Sequence, residues 1–520
     1  MTELLSNYAA GRWQAGTGNG TPLFDPVLGN ELVRVDSTGL DLDETFAFAR
    51  QQGGAALRAL TYRERAALLA AIVNVLQANR DAYYEIATAN AGTVKNDSAV
   101  DIDGAIFTLD QYAKWGDALG DTRALRDGKA VKLGKEPVFQ SQHLQVPREG
   151  VALFINAFNF PAWGLWEKAA PALLSGMPVI VKPATATAWL SQRMVRDVVD
   201  AGVLPVGALS VIAGSSAGLM DQLQPFDVVS FTGSAETAGA IRAHPAVTHR
   251  SVRCGIEADS LNSAVLLPGE APGSEAFNLL VREVVREMTV KSGQKCTAIR
   301  RILVPAEVYD AAAEAIGAKL AGVTVGNPRN DSVRMGSLVS RAQLASVREG
   351  LAMLSAHTRV LHDGRDRPLV DADPALAACI GPVLLGARDA DAAQLVHDVE
   401  VFGPVATLLP YRDSAHAVVL TQRGRGSLVT SLYGRDEAAL TRITLAVAGS
   451  HGRVHVVTPD VGQAHSGHGN VMPMSQHGGP GRAGGGAELG GLRALDFYHQ
   501  RSAVQASPAV LAALGLPDLA

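Results

Sequence analysis

The chain has 520 residues, room for roughly two or three domains, and its 47% hydrophobic and 19% charged side chains suit a compact α/β protein. A formal net charge of −5 with no basic stripe argues against a nucleic-acid partner, and no apolar run reaches the ~18 residues of a membrane span. Cys254, Cys296 and Cys379 are too few and too scattered for a disulfide framework or a metal site; with no signal pattern at the N-terminus, the cytoplasm is the expected compartment.

Residues 1 to about 40 carry short apolar runs and glycine turns that predict peripheral strands. Thr61-x-x-Glu64 is a capping box ahead of an apolar helical run, Ala66 to Leu76. Val131 to Val146 mixes β-branched and polar residues without helical periodicity, and Pro137 argues against a central strand, so an extended hairpin is expected there. Strands and helices then alternate. Strands are predicted at 151–155, 178–181, 209–212 and 228–231, with helices at Trp166 to Leu174 and Ser191 to Ala201 between them. Such alternation implies a parallel sheet whose ligand site lies at the carboxyl ends of its strands, although no Gly-x-Gly-x-x-Gly follows any of them.

The second half of the chain opens on an amphipathic helix. Phe277, Leu280, Val281, Val284, Val285 and Met288 share one face, with Arg282, Glu283, Arg286 and Glu287 on the other. Gly293 is expected to break the helix, leaving Cys296 on a loop before the strand Arg301 to Val304. A reactive thiol needs such a setting, with cations such as Lys291 and Lys295 nearby to favour thiolate. A further helix is predicted from Tyr309 to Leu320. Residues 456–491 are rich in Gly, His and Pro, a composition that suggests a flexible linker, although a glycine loop of about 35 residues ending a compact domain is more often functional or interface-forming than free. Their histidines have flexible flanks and no evident carboxylate partner, so no metal is expected.

Gly293-Gln-Lys-Cys296, with Gly255-Ile-Glu257 upstream and Asn159-Phe-Pro161 earlier still, resembles the aldehyde dehydrogenase superfamily. The resemblance implies an α/β fold with a Rossmann-type parallel-sheet domain at 1–130 and 147–258. It further implies an α/β catalytic domain at 259–455, a small β oligomerisation arm at 131–146 and 492–510, and a Gly/His-rich loop at 456–491. It also implies roles. Cys296 would attack an aldehyde to give a thiohemiacetal, which can expel hydride where a free aldehyde does so poorly. Asn159 would bind the oxyanion, and Glu257 would activate water against the thioester, with partial desolvation raising its pKa towards neutrality. Lys182 and Ser234, with Ala184, Gly233 and Thr237 beside them, would hold the dinucleotide. Glu400 and Phe402, in Glu-Val-Phe-Gly-Pro, would hold the nicotinamide ribose and ring, with Phe158 nearby. NAD-preferring relatives carry a glutamate where Thr185 stands; a hydroxyl there tolerates a ribose 2′-phosphate, so NADP is expected.

Glu257-Ala-Asp-Ser departs from the family's usual Glu-Leu-Gly-Gly. Together with Asn156-Ala-Phe-Asn-Phe-Pro161 and His477-Gly-Gly-Pro-Gly-Arg-Ala-Gly-Gly-Gly486, it resembles a distinct branch acting on CoA-thioester semialdehydes. That branch includes the dehydrogenase domain of the ring-cleavage enzyme of phenylacetate breakdown and stand-alone enzymes of aerobic benzoyl-CoA degradation. The expected activity is oxidation of a CoA-linked aldehyde of the 3,4-dehydroadipyl kind to the acid, by a homodimer. Loop 477–486 would wall the CoA channel, with Arg482→Ala raising KM for CoA-linked aldehydes most. A general dehydrogenase of free aldehydes and a catalytically silent member of the fold are the alternatives.

Overall fold

The computed structural model describes residues 2–517. Two seven-stranded sheets carry the chain. In the first, the order is Arg253–Glu257, Val228–Thr232, Ala152–Ile155, Val179–Lys182, Leu209–Val211, Asn7–Ala9 and Arg12–Gln14. Its first five strands run parallel, and the two N-terminal ones add an antiparallel edge. The central strand Val179–Lys182 is buried at every position, as β-branched runs covered by helices on both faces should be. Trp163–Leu174 and Ala188–Asp200 are the crossover helices that bring the chain back for the next parallel strand.

Both helices start three residues earlier than their apolar periodicity suggests. For the first, the cap comes from elsewhere in the chain: the Asp101 carboxylate accepts the backbone N–H of Trp163 at 2.7 Å, 62 positions away. The capping box does form, with Thr61 and Glu64 bonding reciprocally at the start of Tyr62–Ala78.

The second sheet runs Arg359–Asp363, Val383–Gly386, Val405–Tyr411, Ile299–Pro305, Asn262–Leu266, Ser427–Tyr433 and His451–Val457, all parallel except the first. Helix Glu275–Thr289 packs its apolar face on it. The polar face of this helix is divided: Arg282 and Arg286 are exposed, whereas Glu283 and Glu287 are buried beneath the segment around His468 and Gly469.

A third, three-stranded antiparallel sheet stands apart, in the order His499–Ala506, Gln140–Pro147, Leu125–Lys132. The hairpin therefore begins at Leu125 rather than 131, and Pro137 lies in its turn, where a missing N–H costs no ladder bond. On the returning side, Gly491–Ala494 and Leu495–Tyr498 are helical turns, and pairing starts at His499 opposite Pro147.

The Gly/His-rich stretch is not a flexible linker. It forms a short hairpin, Gln476–Gly478 with Ala487–Leu489. A Cβ at Gly478 would run into the Gly486 carbonyl, and one at Gly484 into that of Ile256. These glycines serve close backbone approach, which composition alone cannot distinguish from mobility. No helix among the described residues is long and apolar enough to cross a membrane.

Candidate active site

Three segments converge between the two sheets. Strand Ala152–Ile155 runs out into Asn156 to Asn159, strand Arg253–Glu257 ends on Glu257, and the turn after helix Glu275–Thr289 delivers Cys296. That helix stops at Thr289, short of Gly293. Lys291, Ser292 and Gly293 then take left-handed backbone, with φ of 52°, 54° and 69°. Strain of this kind persists only where neighbours fix it. Asp97 accepts the Lys291 N–H at 2.8 Å, and Ser292 Oγ donates to the Gly336 carbonyl at 3.0 Å. At Gly293 a Cβ would also collide with the Gly403 carbonyl, so the motif glycine answers to two constraints at once.

The cysteine loop is clamped from several sides. Asn262 Nδ2 donates to the Cys296 and Ala298 carbonyls at 2.7 and 3.0 Å. The Arg300 guanidinium donates to the Gly293, Lys295 and Gly403 carbonyls, and Thr297 Oγ1 to Gly469. Lys295 Nζ lies 2.8 Å from both oxygens of Glu287. Lys291 Nζ stands 3.7 Å from Asp101, over the Phe160 ring.

Both lysines are thus committed to carboxylates and do not activate the thiol. Burial, then the charge of Glu257, push the Cys296 thiol well above its ordinary value. The surroundings of the sulfur thus favour the thiol over the thiolate, the reverse of what nearby lysines led one to expect. Glu257 departs in the opposite sense. Burial alone would raise it, but His477 Nε2 stands 2.6 Å from its Oε2 and holds it down at about 2. The same contact overcomes burial to raise His477. His477 therefore has the carboxylate partner that its glycine-rich flanks gave no sign of; Glu257, Cys296 and His477 place their polar atoms within 4.8 Å of one another.

Behind Glu257 lies a buried charged group. Lys168 Nζ donates to Glu167 Oε1 at 2.9 Å and to Thr232 Oγ1 at 3.0 Å, and stands 3.6 Å from Glu488. Burial and the neighbouring Glu488 raise Glu167 to about 8. His477, Asn262, Arg300 and this group all escaped the sequence reading; the partners of His477 and Asn262 come from distant segments, and the nearer contacts of Arg300 and Lys168 carry no motif.

Three hollows meet at Cys296. A cleft of about 660 Å³ follows the carboxyl ends of the first sheet. Every residue named above for the dinucleotide lines it: Phe158, Lys182, Ala184, Thr185, Gly233, Ser234, Thr237, Glu400 and Phe402, with Asn159, Glu257 and Cys296 at one end. Ser234 caps helix Ala235–Ala243 by accepting from the Thr237 N–H, so a helix N-terminus faces the cleft. Phe158 and Phe402 meet edge to face at 5.7 Å. Burial raises Glu400 to about 7 even though Arg300 lies 3.4 Å away.

On the other side of the sulfur is a pocket of about 200 Å³, walled mainly by Val100, Phe107, Phe160, Trp163, Val471 and Met472. A third, small hollow runs from Cys296 and Glu257 back to Glu167 and Lys168. Arg482 is not in the apolar pocket. It lines the large cleft, paired with Asp259 at 2.6 Å and donating to the Asp398 carbonyl, so the expected effect of Arg482→Ala on CoA-linked substrates loses its basis. Of residues 477–486, only His477 reaches the pocket.

Cys296 thus lies between a large cleft and an apolar pocket, with the Glu257 carboxylate beside it. The chain matches the Aldehyde dehydrogenase family over residues 13–504 and belongs to it. It is 57% identical, over 92% of its length and 93% of the relative's, to the 3,4-dehydroadipyl-CoA semialdehyde dehydrogenase of Aromatoleum evansii. Among solved structures it is similar to lactaldehyde dehydrogenase from Escherichia coli, with a TM-score of 0.84 at 20% identity, covering 97% of this chain and 99% of that one. An NADP-dependent enzyme of Escherichia coli gives 0.82 at 22% identity, covering 97% and 98%. Identities this low speak for the fold alone.

Proposed function

We propose that this protein oxidises a CoA-thioester semialdehyde of the 3,4-dehydroadipyl kind to the carboxylic acid, with NADP, through a thioester on Cys296. The apolar pocket ending at Cys296, opposite the large cleft, is the observation that carries this reading. Its volume suits an acyl chain of about six carbons and excludes the nucleotide of CoA, which would remain at the mouth. The name of the Aromatoleum relative supplies the acyl-CoA class.

Cys296 attacks the aldehyde carbon as its proton passes to the adjacent Glu257–His477 pair. The Asn159 amide and the Cys296 backbone N–H stabilise the oxyanion. A nicotinamide held by Glu400 and Phe402 would supply the hydride acceptor. Glu257 then directs water at the thioester, which makes the product a free acid rather than a new CoA ester.

The cleft is suited to NAD(P), with the N-terminus of helix Ala235–Ala243 for the diphosphate. At the end formed by strands Val179–Lys182 and Leu209–Val211 it presents Lys182, Ala184, Thr185 and Ser216, with no carboxylate among them. That favours a 2′-phosphate and hence NADP. The test is a matrix of CoA-linked against free semialdehyde and NADP against NAD. We expect kcat/KM to favour the CoA-linked aldehyde and NADP by at least about tenfold each, or ~1.4 kcal/mol. Equal turnover of both aldehydes would leave a general aldehyde dehydrogenase.

The hairpin tip exposes Val131, Leu133, Val138 and Phe139, the third of them 70% accessible. Covering these side chains in a homodimer is the arm's proposed purpose. Sedimentation equilibrium should give twice the chain mass; the monomer mass would remove this assignment. All three cysteines are free thiols, which suits a reducing cytoplasm.

A further inference from the structure

We infer that His477 is a positioning residue acting through Glu257, the two forming one base that takes the proton of Cys296 during attack and that of water during hydrolysis. This rests on the reading that Cys296 carries the acyl group. His477 comes from the glycine-rich hairpin, whose tight backbone contacts bring its ring into the site. Its Nε2 stands 2.6 Å from Glu257 Oε2, and both side chains are 3% exposed. Trp163 meets the His477 ring edge to face, with centroids 5.4 Å apart. Glu257 Oε1 is buried, and the carboxylate lies within hydrogen-bonding reach of the Cys296 thiol.

A carboxylate already matched by an imidazolium is a poor acceptor of a further proton. Matched by a neutral imidazole, the same pair accepts one readily, ending as carboxylate and imidazolium. In the attack, the S–H bond breaks, its proton joins the pair, and the sulfur forms the C–S bond. In hydrolysis, the water oxygen bonds to the thioester carbon, its proton joins the pair, and the C–S bond breaks with sulfur leaving as thiolate. Each step therefore starts from neutral His477: the proton taken from Cys296 passes to solvent before hydrolysis, and the water proton held by the pair afterwards returns to the departing thiolate.

The charged groups facing the pair come from every element around it. Glu167 and Lys168 belong to the helix Trp163–Leu174, Glu488 to the hairpin's second strand, Cys296 to its own loop, and Glu400 faces the sulfur from beyond. The carboxylates favour the imidazolium and thereby move the active form to higher pH.

The test compares the protein with His477→Gln, which keeps the size and a donor, and with His477→Phe. Acid release from pre-formed acyl-enzyme and iodoacetamide alkylation of the resting enzyme are each followed against pH. In the unaltered protein both should rise with loss of the imidazolium proton. In both variants the hydrolysis limb should fall by at least about one pH unit, towards that of a lone carboxylate. The alkylation limb should climb by a similar amount, because the thiol then faces Glu257 without its imidazole. Limbs that stay in place in His477→Gln would overturn the assignment. So would rates that drop by one common factor with unchanged profiles, as a merely structural wall would give. Failure of any acyl-enzyme to form on Cys296 would instead strike the underlying reading, and the alkylation profile would still judge His477.

Discussion

Glu257→Gln should oxidise one aldehyde per active site and then stall. Mixing the variant with cofactor and aldehyde is expected to give a burst of reduced nicotinamide equal to the enzyme. The steady rate after it should be about 10²–10⁴-fold below that of the unaltered protein. The reason is the division of labour at the site. On the proposed reading Cys296 carries the acyl group, and its thioester would survive unless a base recruited water. Glutamine preserves the shape of the buried side chain without its proton affinity. Cys296→Ser should show neither burst nor turnover, with a loss of about 10⁴-fold or more, since a serine hydroxyl between Glu257 and the cleft has no thiolate to offer. A steady rate in Glu257→Gln that matched the unaltered protein would mean another group activates the water. Glu167, held near 8 at the far end of the small hollow, would be the first to examine.

Removing the carboxylate of Glu287 should cost more stability than any surface change in this chain. Glu287 and Lys295 are each 1% exposed, and the ammonium sits between both carboxylate oxygens. In Glu287→Leu the Lys295 charge remains buried without a partner, a loss of about 3–5 kcal/mol. It would be read as a lowered urea midpoint at constant slope. The double variant Glu287→Leu, Lys295→Met should recover most of that loss, because a well-packed apolar pair can replace a buried ion pair. If the single variant unfolds at the unaltered midpoint, water must reach Lys295 and the pair is not the clamp described above. Activity should fall along with stability, since Lys295 immediately precedes Cys296 and anchors its turn.

What could be read from the sequence follows the reach of each interaction. The capping box at Thr61 and Glu64 is local and legible, as are the parallel strands, whose apolar runs report burial on both faces. The cysteine, the carboxylate and the asparagine stand out because their neighbours along the chain form motifs. The state of those groups does not. Lys291 and Lys295 look like activating cations until Asp101 and Glu287 are brought against them, and Glu257 looks like a raised carboxylate until His477 arrives from 220 positions downstream. The same holds for the helix at Trp163, whose cap is Asp101. Glycine-rich composition misleads for a related reason: the absence of a Cβ permits mobility and tight packing alike, and only the opposing backbone decides between them.

The pairing of His499–Ala506 with Gln140–Pro147 has a consequence for how the chain is made. Its partners lie far apart: His499 and Gln145, which meet side chain to side chain, are separated by 354 positions. While the ribosome is still adding residues, the hairpin at 125–147 has left the exit tunnel, with one edge of Gln140–Pro147 unpaired and its apolar tip bare. Completion of that small sheet must wait until His499–Ala506 has emerged as well. Until then the nascent chain offers a strand edge to any extended segment it meets, including the same hairpin on a neighbouring chain of the polysome.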